Sequence, residues 1–301
     1  MPVQKIVSNS YDSLGTRGTR KDNEMTAEVG LWLATPDFAP TPAQLATEDY
    51  IDAAIKAEQL FPIPNVDGYE VQNAEDKIYE SSSMNRKVLK RGKRRKTYQL
   101  DIPLSVHRAL QSFNNGDLRQ YRIHDDGKIS FTLSAGKALG FTTSMINTGM
   151  MKDVPSDGST PAFTPVMIDL SNWREWDING EFIVPTWEAA GKEGLIPVTL
   201  AVVGTPSATS VKFKVYAADG YDEAGLVKET LIKGILIADV SFKKTNGDAQ
   251  ATYTMVDNAD GTYTLSGTGF VTGTVNLVAP SAMVSEGLLI KSDGATTVTI
   301  A

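Results

Sequence analysis

The sequence contains no cysteine and only two histidines, His107 and His124, in 301 residues. The first absence excludes disulfides, thiolate metal centres and a cysteine nucleophile together, and leaves the redox compartment undefined. With so few histidines and no HExxH spacing, the side chains that hold transition metals are scarce. There is no GxxxxGK[ST] phosphate loop and no GxSxG motif. No stretch approaches the roughly 18 consecutive apolar residues of a membrane span, so no membrane insertion is expected. The opening segment MPVQKIVSNSYDSLGTRGTRKDNE has no apolar core and does not read as a secretion signal, so the expectation is a soluble chain made in the cytosol. What the chain does have is 41% apolar and 22% charged residues, enough to build a core and too little charge for wholesale disorder.

Candidate chemistry is thin. His107 falls in an expected helix and His124 beside an expected hairpin turn, and both read as structural. The segment DNADG at 257–261 has acids spaced somewhat like a calcium loop but lacks the distal ligands, so it reads as a turn. Glu175, Asp177 and Glu181 form no paired-carboxylate signature and read as a solvated face. The expectation is a protein that is not an enzyme, with no catalytic, cofactor-binding or metal-ligating residues.

Composition changes along the chain. All four tryptophans, both histidines and every arginine precede residue 190, while 195–301 is rich in Thr, Val, Gly and Ala. This implies two domains, 1–190 and 195–301, joined by the linker EAAGKEG at 188–194. The second domain reads as short strands at 198–203, 211–217, 235–242, 251–256, 263–265, 274–278, 288–291 and 296–300. The turn cluster at 257–262 joins two of them as a hairpin. This spacing suggests an immunoglobulin-like β-sandwich. The first domain also reads as mainly β. Strands are expected at 28–34, 66–71, 77–82, 97–102, 118–123, 128–133, 141–147, 166–170 and 181–184. The pair at 118–133 forms a hairpin around His124-Asp125-Asp126-Gly127. In the strand at 97–102, Tyr98, Leu100 and Ile102 share one face. A helix capped by Thr47 is expected to run to Leu60 and stop before Pro62, and a shorter one spans 104–113. The segment 149–162 reads as an exposed loop.

Charge is unevenly placed. Residues 86–96, RKVLKRGKRRK, hold eight of the 29 basic residues and no acid. Residues 1–194 carry 22 basic and 26 acidic side chains; without the eight of the run the count is 14 against 26. The candidate site is this run: Arg86, Lys87, Lys90, Arg91, Lys93, Arg94, Arg95 and Lys96. It is read as the tip of a long hairpin between strands 77–82 and 97–102, with Gly92 near the turn, reaching an acidic surface on another copy of the chain. Two further readings are a plain solvated loop and a nucleic-acid patch; the second is weakened because no aromatic residue interleaves the cations.

The order of features in residues 28–187 resembles the major tail (tail tube) proteins of tailed bacteriophages. An early strand, AEVGLWLAT, is followed by a Pro-rich connection and a helix, then a long hairpin with a polar tip, then strands such as YRIHDDGKISFTL. An Ig-like domain is a frequent C-terminal appendage on such proteins. The resemblance implies a mainly β fold: a tail-tube-like β-sandwich or barrel with one or two helices, followed by the immunoglobulin-like sandwich. It implies a structural virion protein of the phage tail, assembled in the host cytoplasm. Rings of copies, expected to be hexameric, would stack into a conduit for genome ejection, with the hairpin and the N-terminal arm reaching the next ring. The implied partners are the chain itself, other tail or virion proteins, genomic DNA passing through the lumen without specific binding, and host-surface glycans at the Ig-like domain. No cofactor is implied. The alternatives are another virion component (capsid, connector or head decoration) and a carbohydrate-binding or adhesin module.

Overall fold

The computed structural model of the chain describes residues 4–5, 26–63, 65–80, 86–102, 104–149, 163–221, 226–250, 252–285 and 287–300. The expected loop at 149–162, apart from Gly149, and the N-terminal arm, apart from residues 4–5, lie outside these. The chain divides into two compact units, residues 1–194 and 195–301, and both are mainly β.

The first unit contains β1 (Gln4–Lys5), β2 (Glu28–Ala34), α1 (Pro42–Leu45), α2 (Glu48–Lys56), β3 (Leu60–Ile63), β4 (Val66–Val71), β5 (Lys77–Glu80), β6 (Arg86–Lys90), β7 (Arg94–Leu100), α3 (Leu104–Leu110), β8 (Arg119–His124), β9 (Ile129–Ser134), β10 (Lys137–Leu139), β11 (Phe141–Thr148), β12 (Thr164–Leu170), α4 (Trp173–Asp177) and β13 (Gly180–Ile183). The main sheet runs β1-β13-β9-β8-β11-β12-β7-β4, with β2 also paired to β8, β3 to β2 and β10 to β9. The sheet folds back on itself, so that Leu31 and Leu33 of β2 share one core with Tyr98 and Leu100 of β7 and Val166 and Ile168 of β12. On the opposite face of β2, the Trp32 ring stacks on Trp187 at 6.0 Å. Phe38 ties this outer layer to α2, meeting Tyr121 edge-on at 5.9 Å and Tyr50 at 6.3 Å.

The alternation in 97–102 is realised, with Tyr98, Leu100 and Ile102 all buried. The hairpin around His124–Gly127 is also present: Arg122 pairs with Ser130, and Ile123 with Ile129. Two expectations need correction. The helix ends at Lys56, and Leu60–Ile63 is a strand beside β2, with Pro62 opposite Trp32. Proline is tolerated there because β3 pairs on one side only, so its missing N–H interrupts no ladder. Thr47 sits at the N-cap of α2, yet its hydroxyl donates to the Ala43 carbonyl at 3.0 Å instead of capping. Glu48 and Asp49 in the first turn complement the helix dipole instead.

The second unit is sandwich-like. It contains β14 (Ile196–Val202), β15 (Ser210–Tyr221), β16 (Val227–Leu231), β17 (Val240–Lys244), β18 (Tyr253–Asp257), β19 (Thr262–Gly267), β20 (Gly273–Leu277), β21 (Ile290–Ser292) and β22 (Thr296–Val298). One sheet runs β18-β19-β15-β14-β21 with β16 beside β15; the other runs β17-β20-β22. Both supply one core, in which Val198, Leu200, Val211 and Phe213 meet Val240, Phe242, Val275 and Leu277. The hairpin at 253–267 closes through the expected turn, where the Asp257 and Asp260 carboxylates each accept a backbone N–H two residues on. Those bonds account for the acids of DNADG as turn formers.

The expected strand at 235–242 begins only at Val240, because Ile237–Asp239 forms a single 3-10 turn. Asp239 is the cause. Its fully buried carboxylate accepts the Val284 N–H at 2.6 Å, the Ser285 N–H at 3.1 Å and the Ser285 hydroxyl. Asp239→Ala strips the buried Ser285 N–H and the partly buried Val284 N–H of their acceptor and should cost about 2–4 kcal/mol. Every tryptophan lies in the first unit, so circular dichroism should show the destabilisation while the tryptophan-detected transition stays in place. Equal shifts in both signals would contradict this account.

Candidate functional site

The basic run is not the tip of a hairpin; it is most of the return limb. Strand β4 pairs with β7, from Val66 opposite Leu100 to Val71 opposite Lys96. The ladder continues through Gln72 N–H to the Arg95 carbonyl at 3.0 Å and Ala74 N–H to the Lys93 carbonyl at 2.9 Å. Beyond this joint β5 pairs with β6, with Ile78 opposite Val88 and Glu80 opposite Arg86. One arm thus runs from Val66 to Leu100. The segment between Glu80 and Arg86, including the end of the expected strand 77–82, lies outside the described residues.

Gly92 therefore sits at the joint and not at the turn. A Cβ there would lie 1.8 Å from the Ala74 carbonyl oxygen, so the close approach of the two limbs requires glycine. Asp76 clasps the same joint, accepting the Gly92 N–H at 2.7 Å and the Arg91 guanidinium at 2.6 Å. These two bonds hold its carboxyl below the ordinary aspartate range. The Arg91 guanidinium also lies 5.2 Å from the Trp173 ring centroid.

The eight basic residues have different roles. Lys87 and Lys90 are exposed on β6 and make no ion pair among the described residues; Arg86 opens the same strand. Arg91 belongs to the joint. Lys93 and Arg95 both reach Asp169, whose side chain is completely buried. Lys93 Nζ lies 3.6 Å away, and Arg95 makes a two-pronged contact at 2.6 and 3.0 Å. The Arg95 hydrogen bond is the main reason the Asp169 carboxyl stays below its usual range. Lys96 turns inward to Glu28 and lies 4.3 Å from the Tyr69 ring centroid. The Arg94 side chain is half-buried and makes no ion pair or hydrogen bond among the described residues, though its charge helps to lower the Asp76 carboxyl.

Glu28 reaches the interior because the β2–β8 register shifts between Glu28 and Gly30. The bulge places it on the same face as Leu31 and Leu33, where strict alternation would have turned it outward. There it accepts the Tyr98 hydroxyl at 2.8 Å and the Lys96 ammonium, with Arg122 NH1 at 3.7 Å. Burial raises the Glu28 pKa, but the Arg122 and Lys96 charges and the hydrogen bonds from Lys96 and Tyr98 outweigh it, and the net shift is downward. Burial, aided by the Arg122 charge, lowers Lys96 to about 8. The Arg122 guanidinium is 5% exposed and lies between the rings of Trp176 and Phe141, at 4.6 and 5.1 Å. Its Nε is buried without a hydrogen-bond partner among the described residues.

These groups surround a pocket of about 320 Å³ at the root of the arm. Arg94, Arg95, Lys96 and Arg122 supply its cations, and Trp173, Trp176, Ile168 and Leu170 its apolar wall. Glu28, Asp169, Arg122 and the two tryptophans are absent from the candidate set read from the sequence. The usable signal was a lone acid inside an apolar strand, as in AEVGLWLAT and VMIDL.

Both histidines have satisfied rings. His124 bonds the Thr26 carbonyl at 3.0 Å and the Ser130 hydroxyl at 2.8 Å, and burial lowers its pKa. Ser130 is fully buried, so that pair faces no substrate path. His107 contacts Thr164 at 3.2 Å and Gln111 at 3.3 Å. Comparison with known proteins found no matching family model and no similar curated protein.

Proposed function

We propose that this chain is a structural subunit that assembles with copies of itself through the 66–100 arm, in the manner of a phage tail tube protein. Supporting this most directly is the outer ribbon β5–β6. It forms a two-stranded sheet of its own, and Ile78, Tyr79, Val88 and Leu89 are all exposed on it. An isolated two-stranded ribbon is marginal in water, and among the described residues neither of its outer edges is paired. Such an element gains stability when it is laid against another surface, by edge pairing and by burial of those side chains. The acidic balance outside 86–96 suits a tube wall past which DNA slides. The second unit, taken as an Ig-like sandwich, would project from such a tube. Negative-stain microscopy of the purified protein should show stacked rings or filaments. A stable monomer at high concentration, with no polymer even after seeding, would overturn the proposal.

A further inference from the structure

The pocket at the root of the arm has more cations than carboxylates in contact with them among the described residues. Four positive side chains line it, and among the described residues the carboxylates touching them are two, Glu28 and Asp169. Both acids are already committed, Asp169 to Arg95 and Lys93, and Glu28 to Lys96 and Tyr98. Besides its two ring contacts, Arg122 has one ion-pair contact at 3.7 Å and a buried Nε without an acceptor among the described residues, and Arg94 makes no ion pair among them. A buried guanidinium N–H without an acceptor is costly unless a ligand supplies one. The two tryptophans and Leu170 would meet the apolar stem of that ligand.

We infer that the pocket receives an aspartate or glutamate side chain presented by a second copy of this chain. This rests on the assembly proposed above. The carboxylate matches the planar fork of a guanidinium. The chain is itself a source of the counter-charge, with 26 acids against 14 bases in residues 1–194 outside the run. A nucleic acid is the weaker fit. Its phosphates call for a row of open cations, whereas these cations sit in a recess walled by indole rings.

The test uses the full-length chain, with a tetraglutamate peptide as probe and tryptophan emission as readout. Dilute wild-type protein should respond saturably, and Arg94→Glu should bind the peptide about tenfold more weakly or worse. Arg94 makes no ion pair among the described residues, so the neutral variant Arg94→Gln should keep the wild-type melting temperature while still binding the peptide more weakly. Sedimentation should show that Arg94→Glu also loses self-assembly. No saturable response in the wild type overturns the site. Tighter binding of inorganic phosphate or a single-stranded oligonucleotide than of the peptide overturns its chemistry. Peptide binding lost in Arg94→Glu with assembly unchanged overturns the second copy as occupant. Intact peptide binding in a wild-type chain that never assembles sinks the assembly proposal and this occupant while leaving a carboxylate site.

Discussion

Replacing residues 77–90 with an Asn-Gly turn should abolish polymer formation while moving the melting temperature of the first unit by no more than a few degrees. Among its described residues the outer ribbon supplies none to the buried core; each described side chain of Lys77–Glu80 and Lys87–Lys90 is exposed. The excision leaves Asp76 and Arg91 as neighbours, and their side chains already meet at 2.6 Å. Two residues can close that gap as a tight hairpin turn. Sedimentation and tryptophan-detected melting measured together decide the matter. Polymers that persist without the ribbon would remove it from the assembly mechanism. Deleting the whole basic run 86–96 would be a poor substitute. It removes Arg94, Arg95 and Lys96 from β7, a strand paired on both sides, and takes both buried acids' main partners with it.

The second large effect is on stability. Glu28→Gln should destabilise the first unit by about 3–5 kcal/mol, because it leaves Lys96 and Arg122 charged and buried without their acid. For a unit of this size that lowers the melting temperature by on the order of 10 °C. The pH dependence gives a second check. The Glu28 pKa is below its ordinary value in the folded chain, so its contribution is complete above about 4.5 and is lost as pH falls through the folded value. Wild type and variant should therefore converge in acid. Lys96 behaves differently: between its folded value of about 8 and its ordinary 10.5, the unfolded chain binds more protons, so stability rises with pH across that window. Removing Glu28 lowers the folded Lys96 value further, so the penalty of Glu28→Gln should shrink as pH rises to about 8 and stay constant above it. Equal melting temperatures of variant and wild type at pH 7 would show that Glu28 does not hold the cluster together.

The parts of the fold legible in the sequence were those set by near neighbours. Alternation put Tyr98, Leu100 and Ile102 on one face, and the turn residues of HDDG and DNADGT marked two hairpins that form. The composition change near 190 falls beside the division at 194/195. What stayed hidden was set by partners far along the chain. Arg95 and Asp169 are 74 residues apart, and Lys96 and Glu28 are 68 apart. Without knowing that β7 lies against β12, and that β2 bulges at Glu28, RKVLKRGKRRK looks like a uniformly solvated tip. Its division into an outer limb, a joint and an inward-facing strand depends on those pairings. Pro62 misled for a related reason: only the sheet order shows that it lies on an edge.

The cations left on the outer limb have a consequence for the subunit before it meets a partner. A bare apolar ribbon with two open edges is a template for indiscriminate stacking. Lys77 stands opposite Lys90, and Lys87 opposite Tyr79, so two such ribbons brought edge to edge set like charges side by side. Lysines in these positions act as gatekeepers. In the assembly proposed above they would keep newly made chains apart and give way only to a surface that brings its own negative charge.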